Sequence, residues 1–285
     1  MEDGGITAPR MRIYMLMKKQ TSRRATRREA EDKMINRFTV HFSPSMDERM
    51  VSVYLPPAYG DSDQAYPVMY MFDGQNAFEE REAAYGKAWH LDEFLNDWEK
   101  EIILVGLQSS AESDRRTAEY CPYHLAPRAW EGLRGRGRAT MDYIAGVLKP
   151  MIDARYRTIP NRLCTGIMGA SMGGLMSLYA VTAYNDVFSK AACVSPALSL
   201  CYPQLLRQIR SDRLDADTRI YLSVGENEAR DQRTLALQTE RMLTIANMAM
   251  SRGVRVYPYL QPEGRHCEED WTRQTAEFLR FLWLE

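Results

Sequence analysis

Leu163-Cys164-Thr165-Gly166-Ile167-Met168 runs into Gly169-Ala170-Ser171-Met172-Gly173-Gly174 and on through Leu175-Met176-Ser177-Leu178-Tyr179-Ala180-Val181. The first piece is a short, mostly apolar run of strand length, and the last reads as a buried helix. Between them stands G-x-S-x-G. A serine on a sharp strand-to-helix turn exposes its hydroxyl, glycines let neighbouring backbone approach closely, and the start of the following helix favours negative charge. The stretch predicts a nucleophile elbow with Ser171 at its tip. A glycine-rich turn that only packs a helix on a sheet is the blander alternative, and the flanking strand and helix weigh against it.

Outward from this turn the same alternation repeats. Residues 37–42 and 50–55 alternate apolar with polar, as half-buried strands do. Tyr66 to Phe72, Ile102 to Leu107, Ala191 to Val194, Ile220 to Val224 and Val254 to Leu260 are short apolar strands. Helical stripes separate them at about 139–154, 231–251 and 269–284, with Pro150 expected at a kink or near an end of the first. This pattern predicts an α/β class fold: a mainly parallel central sheet with helices on both faces and an antiparallel edge made by the first two strands. About 30 residues separate the fourth strand from the helix near residue 139, too few for a large lid domain. That shortness predicts a shallow, open cleft suited to a bulky or polymer-linked substrate over a long lipid.

The 285 residues suffice for one α/β domain without a disulfide or metal staple. A formal net charge of -1 lacks the basic excess of a dedicated nucleic-acid binder. The five cysteines are odd in number and show no metal-ligand spacing, which predicts free thiols, no metal and a reducing, cytoplasmic setting. Cys267 reads as a bystander beside His266. No apolar run approaches the roughly 20 residues of a membrane span. Residues 1–35 stand apart as a basic extension, with Lys18, Lys19, Arg23, Arg24, Arg27 and Arg28 crowded together. It reads as a solvated arm more readily than as a docking arm for an anionic partner or a neighbouring subunit, and a homo-oligomer is compatible with it. The division expected is 1–35 as extension and 36–285 as catalytic domain.

A serine hydroxyl needs a base within hydrogen-bond reach. Four histidines are available: His41 in an early strand, His90 in an early helix, His124 in a proline-flanked loop, and His266 in Glu263-Gly264-Arg265-His266 between the last strand and the last helix. In the α/β-hydrolase arrangement the order is serine, acid, histidine, which selects His266. The acid should follow the strand ending at Val224, where Glu226, Glu228 and Asp231 compete. Glu228 is the first choice, since Asp231 also suits the start of the next helix. Two backbone N–H groups should hold the developing oxyanion: that of Met172, and one in Asp73-Gly74-Gln75-Asn76, with Gln75 favoured. Arg115, Arg116 and Glu119 read first as an ion pair fixing the loop after the fourth strand, with Arg116 also a substrate-binding candidate. Trp89 reads equally as pocket wall or core.

Several pieces match one family. The chain resembles the putative-esterase family of α/β hydrolases, which includes esterase D, feruloyl and acetylxylan esterases and enterobactin-type siderophore esterases. The resemblance rests on Val53 to Tyr59, Tyr70 to Phe78, Trp89-His90-Leu91-Asp92, Arg116 through Glu119-Tyr120, Gly169 to Leu175, Ser195-Pro196-Ala197, and Gly264-Arg265-His266 with Trp271. It implies a serine carboxylesterase that forms an acyl-enzyme on Ser171 with His266 as base and no cofactor. The substrate it implies is a small-molecule, saccharide-linked (feruloyl or acetyl) or siderophore ester. Two rivals share the residues. An acyltransferase would use an alcohol or sugar in place of water. A non-catalytic binding protein on this fold has no need of serine, histidine and an acidic loop together.

Overall fold

The computed structural model describes residues 34–125 and 133–285. Nearly all of the basic extension, including its lysine and arginine cluster, lies outside the described residues. Eight strands form one sheet in the order β1-β2-β4-β3-β5-β6-β7-β8. They are β1 Ile35–Phe42, β2 Asp47–Tyr54, β3 Val68–Phe72, β4 Ile103–Leu107, β5 Thr165–Ala170, β6 Lys190–Val194, β7 Arg219–Gly225 and β8 Arg255–Gln261. β1 pairs antiparallel with β2, and β2 with β4; every other pairing is parallel. The expected antiparallel edge and parallel body are both present.

Side chains alternate across the sheet, because successive residues of a strand point to opposite faces. In β3, Val68, Tyr70 and Phe72 join one apolar cluster while Met69 and Met71 join the other. The first cluster is covered by α3 (Gly137–Tyr143), α4 (Lys149–Arg155), α5 (Met172–Ala183), α6 (Tyr202–Ser211) and α7 (Gln232–Met250). The second is covered by α1 (Leu91–Asn96) and α9 (Thr275–Trp283). The two remaining short helices are α2 (Ser113–Glu119) and α8 (Glu268–Thr272). α5 is buried nearly all round, from Gly173 to Thr182, which explains its continuous apolar sequence.

Four local differences from the expected elements have physical causes. The strand before the elbow begins at Thr165, because Asn161 accepts from the Leu163 N–H and turns Arg162–Cys164 into a 3-10 helix with Leu163 exposed. The helix through Pro150 stays continuous, but Ile144–Leu148 widens into a π turn just before the proline. That turn absorbs the missing N–H and the ring's bulk without a break. The last helix is two, α8 and α9. Gln274, between them, turns inward to bond Tyr221 and Gln261 at 2.9 and 2.7 Å. His90 lies just ahead of α1 in a left-handed conformation (φ 49°), not within a helix.

Candidate active site

Ser171 stands between the end of β5 and the start of α5 with φ 55° and ψ −117°, a conformation strained for any residue with a Cβ. The turn is over-determined from both sides. The Ser171 N–H donates to the Val194 carbonyl at 3.0 Å, and its carbonyl accepts from Leu175 and Ala197, each at 3.0 Å. Gly169 has to be glycine here: a Cβ would stand 2.7 Å from the Gly173 backbone, so any side chain would push α5 off the strand. Ser171 thus stands on a tight turn between a strand and a helix.

The three residues chosen from chain order meet. His266 places Nε2 at 2.9 Å from the Ser171 hydroxyl and Nδ1 at 3.0 Å from Glu228 Oε2. Its ring stands edge-on to Trp271 with centroids 4.8 Å apart, which limits the orientations it can take. Glu228 is buried at its carboxylate. Its other oxygen, Oε1, accepts from the Ser195 hydroxyl and from the Gly225 N–H at 3.0 Å. Gly225 is likewise held to glycine, since a Cβ would meet Gly264 backbone at 2.5 Å and Glu228 Oε1 at 2.7 Å. The other two carboxylates have different tasks. Glu226 accepts from the Glu263 N–H at 3.0 Å, and Asp231 caps α7 by accepting from the Thr234 N–H at 2.7 Å.

Of the two expected anion donors, Met172 follows Ser171 in the chain and Gln75 lines the same cleft as Ser171. Met172 is the first residue of α5, where an N–H has no carbonyl four residues back to bond. Gln75 lies in a short 3-10 helix, Gly74–Asn76, whose first bond is made by the Asn76 N–H to Asp73. That leaves the Gln75 N–H outside the ladder. The Gln75 side chain is occupied in a reciprocal pair with Ser109: Nε2 donates to the hydroxyl at 3.0 Å and Oε1 accepts from the backbone N–H at 3.1 Å.

Arg116 lines the cleft, but its guanidinium is held by Asp73 through two bonds of 2.7 Å. The expected pairing within Arg115, Arg116 and Glu119 is replaced by longer-range ones. Glu119 is buried against Arg49 at 2.7 Å, and Arg115 reaches Asp47 at 3.3 Å. What these pairs tie down is the β2 end and the loop after β3. Trp89 is both wall and core: it lines the cleft, is 2% exposed, and packs near Trp271 and Phe278. Cys267 also lines the cleft, and burial pushes its thiol up, away from the thiolate a nucleophile needs.

Two hollows open on the Ser171–His266 pair. The larger, about 760 Å³, extends over Asp73, Gln75, Trp89, Arg116 and Glu268. The smaller, about 350 Å³, lies toward Met172, Leu198 and Arg241. The His266 side chain is 44% exposed, so the site is reached directly from solvent. Two residues lining the smaller hollow were not singled out individually in the sequence. Ser195 sits directly after β6 in a left-handed conformation (φ 42°), and only its place in Ser195-Pro196-Ala197 pointed to it. Arg241 lies mid-helix in α7, where a charged residue ordinarily signals a solvated face.

A serine on a strand-to-helix elbow, a histidine after the last strand and an acid after the preceding one define the α/β-hydrolase class. The chain belongs to the esterase family whose description reads "Putative esterase", the family's model matching residues 43–282. In class it is a carboxylic ester hydrolase. Uncharacterized protein YbbA of Bacillus subtilis (strain 168) is 26% identical over 190 residues, covering 66% of this chain and 72% of that one. The structure resembles an IroE-like serine hydrolase from Shewanella oneidensis, with a TM-score of 0.69 at 20% identity over 86% of this chain and 79% of that one. It also resembles the siderophore hydrolase EstA from Aspergillus nidulans, with a TM-score of 0.65 at 15% identity over 88% and 95%. Among the described residues, no helix is long and apolar enough to cross a membrane, and no cluster of His, Cys, Asp and Glu is arranged to hold a metal.

Proposed function

We propose that the protein is a serine carboxylesterase that works by two-step acyl transfer to water. One observation carries this reading: a single imidazole spans the Ser171 hydroxyl and the Glu228 carboxylate at 2.9 and 3.0 Å. His266 takes the proton from Ser171 as the hydroxyl attacks the ester carbonyl. Glu228 holds the imidazole in the tautomer that leaves Nε2 free to accept, and it stabilises the imidazolium that forms. The N–H groups of Met172 and Gln75 receive the oxyanion. His266 returns the proton to the leaving alcohol, and water repeats the sequence on the acyl-enzyme.

The open approach to His266 and the breadth of the larger hollow support an ester on a bulky, polar carrier, saccharide-linked or siderophore-derived, over a long lipid. The odd count of free thiols supports a cytoplasmic setting. The test compares the protein with Ser171→Ala on short-chain aryl esters and a feruloyl ester. Hydrolysis should fall by several orders of magnitude in the variant. Equal rates in both proteins would overturn the reading.

A further inference from the structure

The two hollows beside Ser171 differ in charge. In the larger one both cations are already answered: Arg116 by Asp73 through two 2.7 Å bonds, and Lys87 by Glu80 at 3.2 Å. Glu268 and Glu269 add further acidic groups to that side. An anion placed there would meet carboxylates and no uncommitted cation.

The smaller hollow is the reverse. Its walls are largely apolar, from Leu198, Leu200 and Val224, and the carboxylate of Glu228 is turned to His266, Ser195 and Gly225. From α7 comes one guanidinium, Arg241. Its Nη1 donates to the Ser199 hydroxyl, and its plane lies near the Tyr202 ring, 5.2 Å from the centroid. No carboxylate lies within ion-pair distance of it among the described residues. Its Nε is buried with no hydrogen-bond partner there, and so is Oε1 of Gln238, one helical turn away. Buried donors in folded proteins are nearly always satisfied, so the unpartnered Arg241 Nε in a small pocket next to a nucleophile calls for an acceptor that arrives with the substrate, whereas Gln238 Oε1 is itself an acceptor and is left for a donor. A guanidinium with Nε and one terminal nitrogen uncommitted matches a carboxylate, which takes two parallel N–H bonds from that edge.

We propose that the pocket beneath Arg241 is the subsite for a carboxylate carried on one half of the ester. The preferred substrates are then anionic esters whose other, uncharged half lies in the larger hollow. This rests on the assignment of Ser171 and His266 as the ester-cleaving pair. Arg241 acts by binding and orienting, without touching the reacting bond. Placed here it anchors one end of the substrate and fixes where the carbonyl sits relative to Ser171.

Two matched pairs of probes test the proposal and decide which half bears the charge. 4-Nitrophenyl hydrogen glutarate against 4-nitrophenyl valerate places the carboxylate in the acyl half. 4-Acetoxybenzoate against 4-acetoxyacetophenone places it in the alcohol half. In one pair, kcat/KM for the anionic member should exceed that of the neutral one by about 10-fold or more, the effect of one charge-assisted contact. Arg241→Gln should bring that ratio to one or below, and Arg241→Lys should restore part of it. A purely structural role would lower both members alike and leave the ratio unchanged. That result, or no anionic preference in either pair, would overturn the subsite. A binding arm separates this from the esterase reading. Ser171→Ala is titrated calorimetrically with glutarate and with 4-hydroxybenzoate, and again in the Arg241→Gln background. If the protein cleaves no probe but binds one carboxylate in an Arg241-dependent way, the esterase reading falls and the subsite stands. Equal binding, or no binding, in both backgrounds sinks the subsite.

Discussion

Arg116 and Asp73 are joined by two parallel hydrogen bonds, Nε to Oδ1 and Nη2 to Oδ2, each 2.7 Å. Asp73 is itself in a left-handed conformation (φ 55°), and its N–H donates to the buried Tyr120 hydroxyl at 3.0 Å. Arg116 and Tyr120 both come from the α2 segment, so the loop that carries Gln75 is clamped by an element 43 residues away in the chain. Arg116→Lys keeps the charge but cannot form the two-bond fork. The clamp predicts that this variant loses about 10- to 100-fold in kcat on a short-chain aryl ester, through misplacement of the Gln75 N–H, with a smaller change in KM. Steady-state kinetics checks this, and an unchanged kcat would show that the clamp does not position the loop.

The three carboxylates after β7 have distinct partners and should behave distinctly. Glu228→Gln removes the charge facing His266 and is expected to lower kcat by about 10²- to 10⁴-fold. Glu226→Ala and Asp231→Ala should leave kcat within about threefold, since neither carboxylate bonds the triad-like chain. Asp231→Ala should instead lower thermal stability, because the cap on the Thr234 N–H is lost. Activity assays paired with melting curves separate the two effects. A large kcat loss in Asp231→Ala with Glu228→Gln near normal would reverse the assignment.

Ser195 supports the same acid from behind. Its hydroxyl and the Gly225 N–H both reach Glu228 Oε1, leaving Oε2 for His266. Ser195→Ala removes one of the two donors. The expected result is a fall in kcat/KM of about 3- to 30-fold, less than the full weight of one hydrogen bond to a charged group because the Gly225 N–H still holds Oε1, and far less than the loss in Glu228→Gln. The two variants combined should be less than additive, because both act on one network.

How much of this could be read from residues alone is clearest at the site. Each of Ser171 and His266 had a single position that satisfied both residue type and chain order, and the structure brings these two side chains to 2.9 Å. The acid had three candidates within six residues, and only the turn after β7, with Gly225 packed on Gly264, decides which carboxylate faces the imidazole. The Arg116–Asp73 pair and the placement of Arg241 are long-range packing outcomes that leave no periodic signal. The fold was legible because buried parallel strands carry unbroken apolar runs. The 3-10 turn at Arg162–Cys164 and the break at Gln274 were not, since each depends on a polar side chain finding a tertiary partner.

Far from the cleft, Lys190 offers a test of the packing at the other end of the sheet. Burial, reinforced by nearby Arg219, pulls its ammonium down to about 8 from an ordinary value of 10.5. Below pH 8 both folded and unfolded chains carry the proton, and the full penalty for a buried charge is present. Between about 8 and 10.5 the unfolded chain binds more protons, so this group makes stability rise with pH. Relative to Lys190→Met, the protein should therefore gain stability as pH goes from 8 toward 10. Urea denaturation of both proteins at pH 7, 8, 9 and 10 measures the difference, and a constant difference would contradict the assignment.

The most direct test of Ser171 as nucleophile is covalent. The protein is treated with a fluorophosphonate, and adduct formation is followed by intact mass and peptide mapping alongside residual aryl-esterase activity. The account predicts one adduct on Ser171, formed in step with loss of activity and absent from Ser171→Ala. Full inactivation with the adduct on another residue, or ester hydrolysis by Ser171→Ala at the unmodified protein's rate, would contradict it.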